Sequence, residues 1–212
     1  DTPLLLAKNE GLTFDQRLAK RVLDLVVSII ALVITSPVML VIAIAIKAYD
    51  GGPVFFVQDR CTINGKVFKI HKFRSMIENA EKDGEVIPAT DDDARITPVG
   101  KIIRKTRLDD ILIGNMSVVG PRPERVEHVE KYVEEVPEFT YRMKVKGGLT
   151  GYAQIYGKYN TSAYDKLKLD LMYIQNYSIL LDLRLILMTV KIMFIKDSTE
   201  GFEEIKPSEK KD

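Results

Sequence analysis

A short run of charged residues near the middle of the chain has the composition of a phosphate-handling site. Thr106 and Asp109 have the spacing of a capping box, which predicts that a helix begins here. The dipole and free amides of a first helical turn stabilise carboxylates and phosphate oxygens. We interpret Asp109 as a candidate nucleophile and Asp110 as a carboxylate that can share Mg²⁺ with a phosphorylated substrate. A solvated helix start is the alternative interpretation of such a pair.

A rigid loop follows in the sequence. Pro121 and Pro123 restrict the backbone around Arg122, so the guanidinium is held ready for a phosphate or a planar polar group. A rigid turn with an exposed arginine is the alternative.

Further basic residues lie before the carboxylate pair along the chain. Arg104 is close to it in sequence, and its charge helps to neutralise a phosphorylated substrate. Lys69, Lys72 and Arg74 form a basic edge at the end of a predicted hairpin. A stripe that faces solvent or lipid headgroups is the alternative for this edge.

Residues 22–46 form the one long apolar run, and its length is sufficient to cross a bilayer. Pro37 cannot donate a helical hydrogen bond, whereas Thr35 and Ser36 can bond the carbonyls that it frees. Basic residues flank the run on both sides, which favours both ends on the cytoplasmic side. We predict a re-entrant helix broken at Ser36-Pro37, with a plain spanning anchor as the alternative. Residues 179–195 suit an amphipathic helix on the membrane surface or a core-facing helix.

Composition limits the other classes of function. The formal net charge of +1 offers no general argument for a nucleic-acid partner. A single cysteine, Cys61, excludes an internal disulfide, and two histidines make a histidine-rich metal site improbable. Any metal is therefore expected to have oxygen ligands.

The remaining pattern predicts an α+β fold that is mostly helical, with one small β-hairpin around Asn64-Gly65. Helices are predicted over residues 75–82, 99–108, 124–135 and 163–177, and residues 147–157 are predicted to be a glycine-rich loop. We divide the chain into a linker or truncated N-terminal region (1–16), a membrane helix (17–48), a cytosolic domain with interfacial amphipathic helices (49–202) and a charged tail (203–212).

Taken in order, several short motifs resemble the monotopic phosphoglycosyl transferases, bacterial sugar transferases that begin exopolysaccharide and glycoconjugate assembly. The motifs that carry the resemblance lie at residues 20–24, 36–37, 52–56, 72–76, 104–110, 116–124, 148–154 and 169–170. Together they extend over most of the chain.

The resemblance implies a covalent mechanism at the cytoplasmic face of the bacterial inner membrane. Asp109 would attack the β-phosphate of a UDP-sugar and release UMP, and undecaprenyl phosphate would then accept the phospho-sugar. Mg²⁺ would bridge Asp110 and the pyrophosphate. The implied substrate contacts are Lys72, Arg74, Arg104, Pro121, Arg122, Pro123, Gln154 and Asp170. A homodimer is plausible for larger members.

The chain departs from the family pattern near the predicted nucleophile. Asp110 stands where the family usually has Glu, and about six residues of the family motif that support the dyad are absent after it. Lys158 and Gly147 replace residues that the family often has as Arg and Pro. The short segment after Asp110 supports a competing hypothesis, a non-catalytic membrane-anchored scaffold. A third hypothesis is a soluble metal-dependent phosphohydrolase whose apolar run lies in the core.

Overall fold

The computed structural model of the 212-residue chain describes residues 11–78, 80, 93–106, 115–157 and 162–193, without the side chains of residues 104–106 and 193. In chain order the helices are α1 (Phe14–Asp50), α2 (Pro98–Thr106), α3 (Val126–Glu135), α4 (Tyr152–Tyr156), α5 (Ala163–Gln175) and α6 (Ile179–Met193). The strands are β1 (Phe55–Cys61), β2 (Val67–Phe73), β3 (Ser117–Val119) and β4 (Gly148–Thr150). A 3₁₀ helix spans Pro137–Lys144. The predicted α+β, mostly helical class is confirmed.

Helix α1 is longer than the predicted 17–48 because it has a strong N-terminal cap. Thr13 and Gln16 form a capping box, in which each side chain bonds the backbone amide of the other residue. Gly51 closes the other end with a φ of 73°, a left-handed conformation that glycine adopts without steric cost. The capping pattern Thr-x-x-Gln is visible in the sequence and predicts the start at Phe14.

Pro37 lies inside α1, and the helix continues on both sides of it. Ser36 Oγ donates to Val33 O at 3.1 Å, and Thr35 Oγ1 donates to Ala31 O at 2.8 Å. Pro37 frees the carbonyl of Val33, so the predicted role is confirmed for Ser36, whereas Thr35 bonds a carbonyl one turn before itself that the proline does not free. A proline can bend a helix without ending it, so the re-entrant path stays a prediction.

The apolar middle of α1 is exposed. Side chains from Ile29 to Ile34 include five large aliphatic residues that are 53–68% exposed. Among the described residues, α1 is the one helix long and apolar enough to cross a membrane. The hypothesis of a soluble enzyme with a core apolar run does not fit this exposure, since a core helix buries such side chains.

The predicted hairpin is confirmed. Strands β1 and β2 pair antiparallel with Phe55 opposite Phe73 and Cys61 opposite Val67. The turn between them contains Asn64 and Gly65, both with positive φ, as Asn-Gly hairpin turns require. Residues on one face of the hairpin, including Phe68 and Ile70, are buried against Met116.

Two sequence-based predictions are wrong. Residues 75–78, the described start of the predicted helix 75–82, are not helical, and Met76 instead bridges Ile96. The predicted loop 147–157 contains strand β4 and helix α4. Strand β4 pairs in parallel with β3, and long-range pairing of this kind overrides local turn preference.

Glycines allow the closest contact between β3 and β4. A Cβ on Gly148 would lie 2.1 Å from the amide nitrogen of Gly120, and one on Gly151 would lie 2.3 Å from Gly120 O. Both separations are far below van der Waals contact, so no other residue fits without backbone movement. The loop after β3 is thereby held tightly against the loop after β4.

The main hydrophobic core lies between α5, α6, the 3₁₀ helix and β3. Its most buried members are Val119, Phe139, Tyr173 and Leu185. A smaller cluster joins Ile46 of α1 to Phe73 of β2 and Ile103 of α2. Helix α1 thus packs on the polar domain through its second half as well as its first.

Candidate active site

The loop from Gly120 to Glu124 is fixed along its backbone. Each of the four carbonyls from Pro121 to Glu124 accepts a hydrogen bond. The donors, in order, are Gly148 N (2.8 Å), Arg142 Nη2 (2.8 Å), Arg60 Nη1 (3.2 Å) and Cys61 N (3.0 Å). Pro121 and Pro123 are buried while Arg122 between them is exposed. The Arg122 side chain therefore projects from a rigid backbone, as the sequence predicts.

The buried side chain of Arg142 bonds the backbone of this loop at the Arg122 carbonyl. Its Nε donates to Asp170 Oδ2 at 2.7 Å, and both residues are buried. Glu124 lies 3.9 Å from Arg142 and accepts from Lys166 at 3.3 Å. The predicted substrate contact Asp170 is 1% exposed, so in this structure it orients Arg142 and, through it, the Arg122 carbonyl.

Burial and charge act in opposite directions on the two carboxylates beside Arg142. Burial raises the pKa of Asp170, and this outweighs the lowering effect of Arg142. Burial also acts to raise the pKa of Glu124, but Arg142 and Lys166 together outweigh it and leave that pKa below its ordinary value. Glu124 is therefore an ionised partner of the two cations.

Three of the predicted substrate-binding residues meet beside β2. A small surface depression, here called the cationic depression, is lined by Arg60, Ile70, Lys72, Met116, Arg122, Pro123, Gly148 and Leu149. It combines three cationic side chains with an apolar floor and has no carboxylate in its lining. A neighbouring depression shares Arg122 and Pro123 and adds Pro121. Such a surface attracts a polyanion such as a diphosphate.

Gln154 adjoins the cationic depression. Its Nε2 donates to the carbonyl of Leu149 at 3.3 Å, and its buried Oε1 has no hydrogen-bond partner among the described atoms. The amide is therefore close to the predicted site, and one acceptor remains for another donor.

Arg74 contacts the end of α1. Its guanidinium forms two bonds to the Asp50 carboxylate and one to Pro53 O at 2.7 Å. The hydrogen bonds from Arg74 and Gly52 lower the pKa of Asp50 to about 2. Arg74 is 6% exposed, so here it joins α1 to the domain, and its predicted contact with substrate stays a prediction.

The predicted catalytic residues lie outside the described residues. Asp109 and Asp110 belong to the segment 107–114, and Arg104 is described only as a backbone position in α2. The described chain approaches that segment from both ends. Ile103 packs with Phe73 at one end of β2, and Met116 packs with Ile70 further along the same strand.

Helix α2 has a defined start that fixes its direction. Thr97 Oγ1 accepts the amide of Gly100 at 2.9 Å, and Thr97 N donates to Ser75 O at 3.0 Å. A Cβ on Gly100 would lie 1.9 Å from Ser75 O, so this close approach requires glycine. The helix that leads to the dyad is thus docked on the chain directly after β2.

Arg60 is a candidate site residue that the sequence reasoning missed. It faces Phe68 across the hairpin, and Lys72 faces Phe56. Directly paired residues point to the same face, and positions two or four apart on one strand share it. The register predicted for the hairpin could therefore have placed Arg60 and Lys72 on one face.

The described residues contain no group of three or more His, Cys, Asp or Glu side chains suited to a metal. The carboxylates of the dyad and the oxygens of a diphosphate are ligands of the kind that Mg²⁺ prefers. The donor set predicted from the sequence therefore fits Mg²⁺.

The fold defines a class of protein in which an exposed apolar helix is joined to a polar domain with a cationic, phosphate-suited surface. Residues 15–196 match the family model described as bacterial sugar transferase. The chain belongs to this family.

Curated relatives agree with that assignment. The chain is 45% identical over 190 residues to the UDP-glucose:undecaprenyl-phosphate glucose-1-phosphate transferase of Klebsiella pneumoniae, a match that covers 84% of this chain and 41% of the relative. It is 40% identical over 181 residues to the UDP-N-acetylgalactosamine-undecaprenyl-phosphate N-acetylgalactosaminephosphotransferase of Aeromonas hydrophila, covering 81% and 43%.

A third relative is of similar size to the chain. It is the uncharacterized sugar transferase EpsL of Bacillus subtilis, 35% identical over 187 residues, with 85% of this chain and 90% of the relative covered. By contrast, the chain spans about two fifths of the length of the Klebsiella and Aeromonas relatives.

Proposed function

We propose that this protein transfers a phospho-sugar from a UDP-sugar to undecaprenyl phosphate at the cytoplasmic face of the bacterial inner membrane. The observation that carries the proposal is the cationic depression, where Arg60, Lys72 and Arg122 come together beside Met116. Family membership and the names of the relatives support the donor and acceptor classes.

The cationic depression suits the diphosphate of the donor. Three cations offset the two negative charges of a UDP-sugar diphosphate, and the exposed guanidinium of Arg122 can bond two oxygens at once. Because four carbonyls of the loop are bonded to the domain, little rotational freedom remains to be lost when the donor binds.

The residues on either side of the segment that contains Asp109 and Asp110 support the proposed role of that segment. Ile103 precedes this segment and Met116 follows it, and both pack against side chains of β2. Lys72 lies on that strand between the packed residues Ile70 and Phe73. Twelve residues lie between Ile103 and Met116. Since an extended chain covers roughly 3.3 Å per residue, this stretch is long enough to bring a carboxylate to a phosphate bound at Lys72 and Arg122.

A re-entrant path for α1 is part of the proposal. Asp24, in its first half, bonds Val118, and Asp50, at its end, bonds Arg74. A spanning helix would separate its two ends by about 30 Å of hydrocarbon, whereas here both ends contact one polar domain. Ser36 and Thr35 supply the hydrogen bonds that make a bend tolerable in lipid. The exposed aliphatic side chains from Ile29 to Ile34 are then the part of α1 that is inserted in the bilayer.

Helix α6 fits a position on the membrane surface. Leu180, Leu183, Leu187 and Val190 are exposed and recur at helical spacing. Leu185 is buried in the core on the opposite side. One face therefore anchors the helix to the domain, and the other is available to lipid.

The mechanism has two displacement steps at phosphorus. A carboxylate oxygen of Asp109 bonds the β-phosphorus of the donor while the bond to the bridging oxygen breaks, and UMP leaves with that electron pair. The phosphate oxygen of undecaprenyl phosphate then attacks the same phosphorus and frees the Asp109 carboxylate. The product is an undecaprenyl diphosphate sugar. Arg122, Lys72 and Arg60 stabilise the charge on the phosphoryl oxygens.

Mg²⁺ belongs to the proposed site. Asp110 would hold it together with donor phosphate oxygens, and the ion would neutralise the charge of the UMP leaving group. The residues of the loop from Gly120 to Glu124 would orient the donor. The buried pair of Arg142 and Asp170 supports the backbone of Arg122.

The test is release of UMP by the purified chain in lipid nanodiscs with undecaprenyl phosphate and Mg²⁺. UDP-glucose, UDP-galactose and UDP-N-acetylgalactosamine are supplied separately. UMP release that depends on one of these donors supports the proposal and identifies the sugar. Absence of release with every donor, from a folded chain, favours the non-catalytic scaffold.

A further inference from the structure

Two polar side chains of the membrane helix are buried in the domain. Lys20 and Asp24 lie one turn apart on α1 and are each 5% exposed, whereas the other charged side chains of this helix are exposed. Buried charges require partners, because desolvation is costly. Their partners lie on β3 and on the helices that surround it.

Asp24 takes the place of a neighbouring strand at one edge of β3. Strand β3 pairs with β4 through Ser117 and Val119, so the amide of Val118 points away from that pairing. Asp24 Oδ1 accepts this amide at 2.9 Å and also accepts Ser117 Oγ at 2.8 Å. A carboxylate that accepts a backbone amide in a buried setting makes a strong, charge-assisted bond.

Lys20 bonds Tyr173 of α5 and Asp182 of α6, and it reaches β3 indirectly, through the Tyr173 hydroxyl. Its Nζ lies 2.6 Å from Asp182 Oδ2 and 2.9 Å from the Tyr173 hydroxyl oxygen. The same hydroxyl lies 2.8 Å from Asp182 Oδ1 and 3.2 Å from Val119 O. Burial and the Asp182 carboxylate raise the pKa of Tyr173, so its single proton stays available to these two acceptors.

These contacts lie directly before the loop from Gly120 to Glu124, which carries Arg122. Val119 is followed by Gly120 and Pro121, so only two residues separate the clamped strand from Arg122. The amide of Gly120 bonds Thr150 O at 2.8 Å. A displacement of β3 is therefore transmitted along a tightly bonded backbone and cannot be absorbed by a flexible linker.

We propose that Asp24 and Lys20 are positioning residues for Arg122, through which the membrane helix sets the location of the donor site relative to the bilayer. This inference rests on the proposed function. Neither side chain contacts the donor. Their role is to fix β3, so that Arg122 is held at one depth beside the acceptor lipid.

The kinetic experiment compares Asp24→Ala, Asp24→Asn and Leu25→Ala in nanodiscs, with UDP-glucose and UDP-N-acetylgalactosamine as donors. Asp24→Ala is expected to raise KM for the donor roughly tenfold, the effect of losing charge-assisted bonds, and to change kcat less than about threefold. Asp24→Asn keeps an oxygen that can accept both bonds and is expected to restore most of the donor affinity. Leu25 is the exposed neighbour on the helix and serves as the matched control.

Hydrogen–deuterium exchange gives a readout that needs no donor. Backbone amides of residues 118–122 are expected to exchange faster in Asp24→Ala than in the parent, and Asp24→Asn is expected to stay close to the parent. If the parent shows no turnover, the proposed function fails while exchange still decides the positioning role. Unchanged exchange and unchanged KM in Asp24→Ala overturn the inference.

A second variant covers the case in which Asp24→Ala does not fold. Ser117→Ala removes one of the two bonds to Asp24 and leaves the carboxylate with the Val118 amide. A smaller rise in KM, with faster exchange at residues 118–122, supports the inference. A Ser117→Ala protein with the parent's exchange and KM overturns it.

Discussion

Ser36 donates its hydroxyl to the carbonyl oxygen of Val33, 3.1 Å away, and this is the carbonyl that loses its helical donor at Pro37. Pro37 removes one helical hydrogen bond, and the adjacent Ser36 replaces it. In lipid an unbonded carbonyl costs several kcal/mol, so the pair allows α1 to bend at small cost.

Replacing Pro37 is expected to change the topology of α1. Pro37→Leu restores an amide to Val33 O and allows a straight helix of 37 residues, about 55 Å long at 1.5 Å per residue. With Cys61→Ser and Phe14→Cys as background, an impermeant maleimide should label the Pro37→Leu protein in intact spheroplasts. The protein with Pro37 should be labelled only after permeabilisation.

Val38→Leu is the control for this topology experiment. Val38 is the exposed neighbour of Pro37, and its replacement leaves the helical bonding unchanged. Labelling of the Pro37 protein in intact spheroplasts contradicts the re-entrant path.

Loss of a cation from the cationic depression is expected to weaken donor binding. Arg122→Gln and Arg60→Gln each remove a charged donor, which corresponds to about 1.5–3 kcal/mol, or roughly a 10- to 150-fold rise in KM for the donor. Lys69→Gln on the exposed face of the same hairpin should leave KM within about twofold. Measurement of donor KM in nanodiscs checks this, and a Lys69→Gln effect as large as that of Arg60→Gln refutes the assignment.

Asp170→Asn is expected to act on stability as well as on turnover. The variant removes the carboxylate that bonds the buried Arg142 at 2.7 Å and leaves Glu124, 3.9 Å away, as its carboxylate partner, at a cost of about 3 kcal/mol. The midpoint of thermal unfolding should fall by roughly 6–12 °C for a chain of this size. Glu134→Gln, at an exposed site on α3, should not change the midpoint. A midpoint equal to the parent's, with a lost donor affinity, indicates direct contact with substrate instead.

The stability of the folded chain is expected to depend on pH through Glu124, which pairs with Arg142 and Lys166. Arg142 and Lys166 overcome the effect of burial and lower the folded pKa of this group. Its stabilising contribution is therefore complete above the unfolded pKa of about 4.5 and is lost as the pH falls through the lower folded value. Unfolding midpoints from about pH 6 to about pH 3 should fall less steeply for Glu124→Gln than for the parent. Equal slopes contradict this assignment.

Much of the fold follows from local signals in the sequence. The Asn-Gly turn with flanking β-rich runs predicts the hairpin, and the long apolar run predicts the exposed helix. These predictions succeed because turn chemistry and hydrophobic length act within a few residues. The helix predicted over 75–82 fails in its described part because Met76 pairs with Ile96, twenty residues away.

The candidate site is less accessible to sequence reasoning. Arg122 is predicted because prolines flank it, and the structure shows an exposed side chain on a hydrogen-bonded backbone. Its contact with substrate stays a prediction. The structural roles of Arg74 and Asp170 could not be predicted, since their partners Asp50 and Arg142 are distant in sequence. For the same reason Lys20 and Asp24 look like interfacial charges in the sequence and are buried in the fold.

The most direct test of the account is intact-protein mass spectrometry after incubation with a UDP-sugar and Mg²⁺, without undecaprenyl phosphate. We predict a mass increase equal to one phospho-sugar, located at Asp109 by fragmentation, lost on addition of undecaprenyl phosphate and absent from Asp109→Asn. UMP release with no adduct, together with full turnover by Asp109→Asn, contradicts the covalent mechanism.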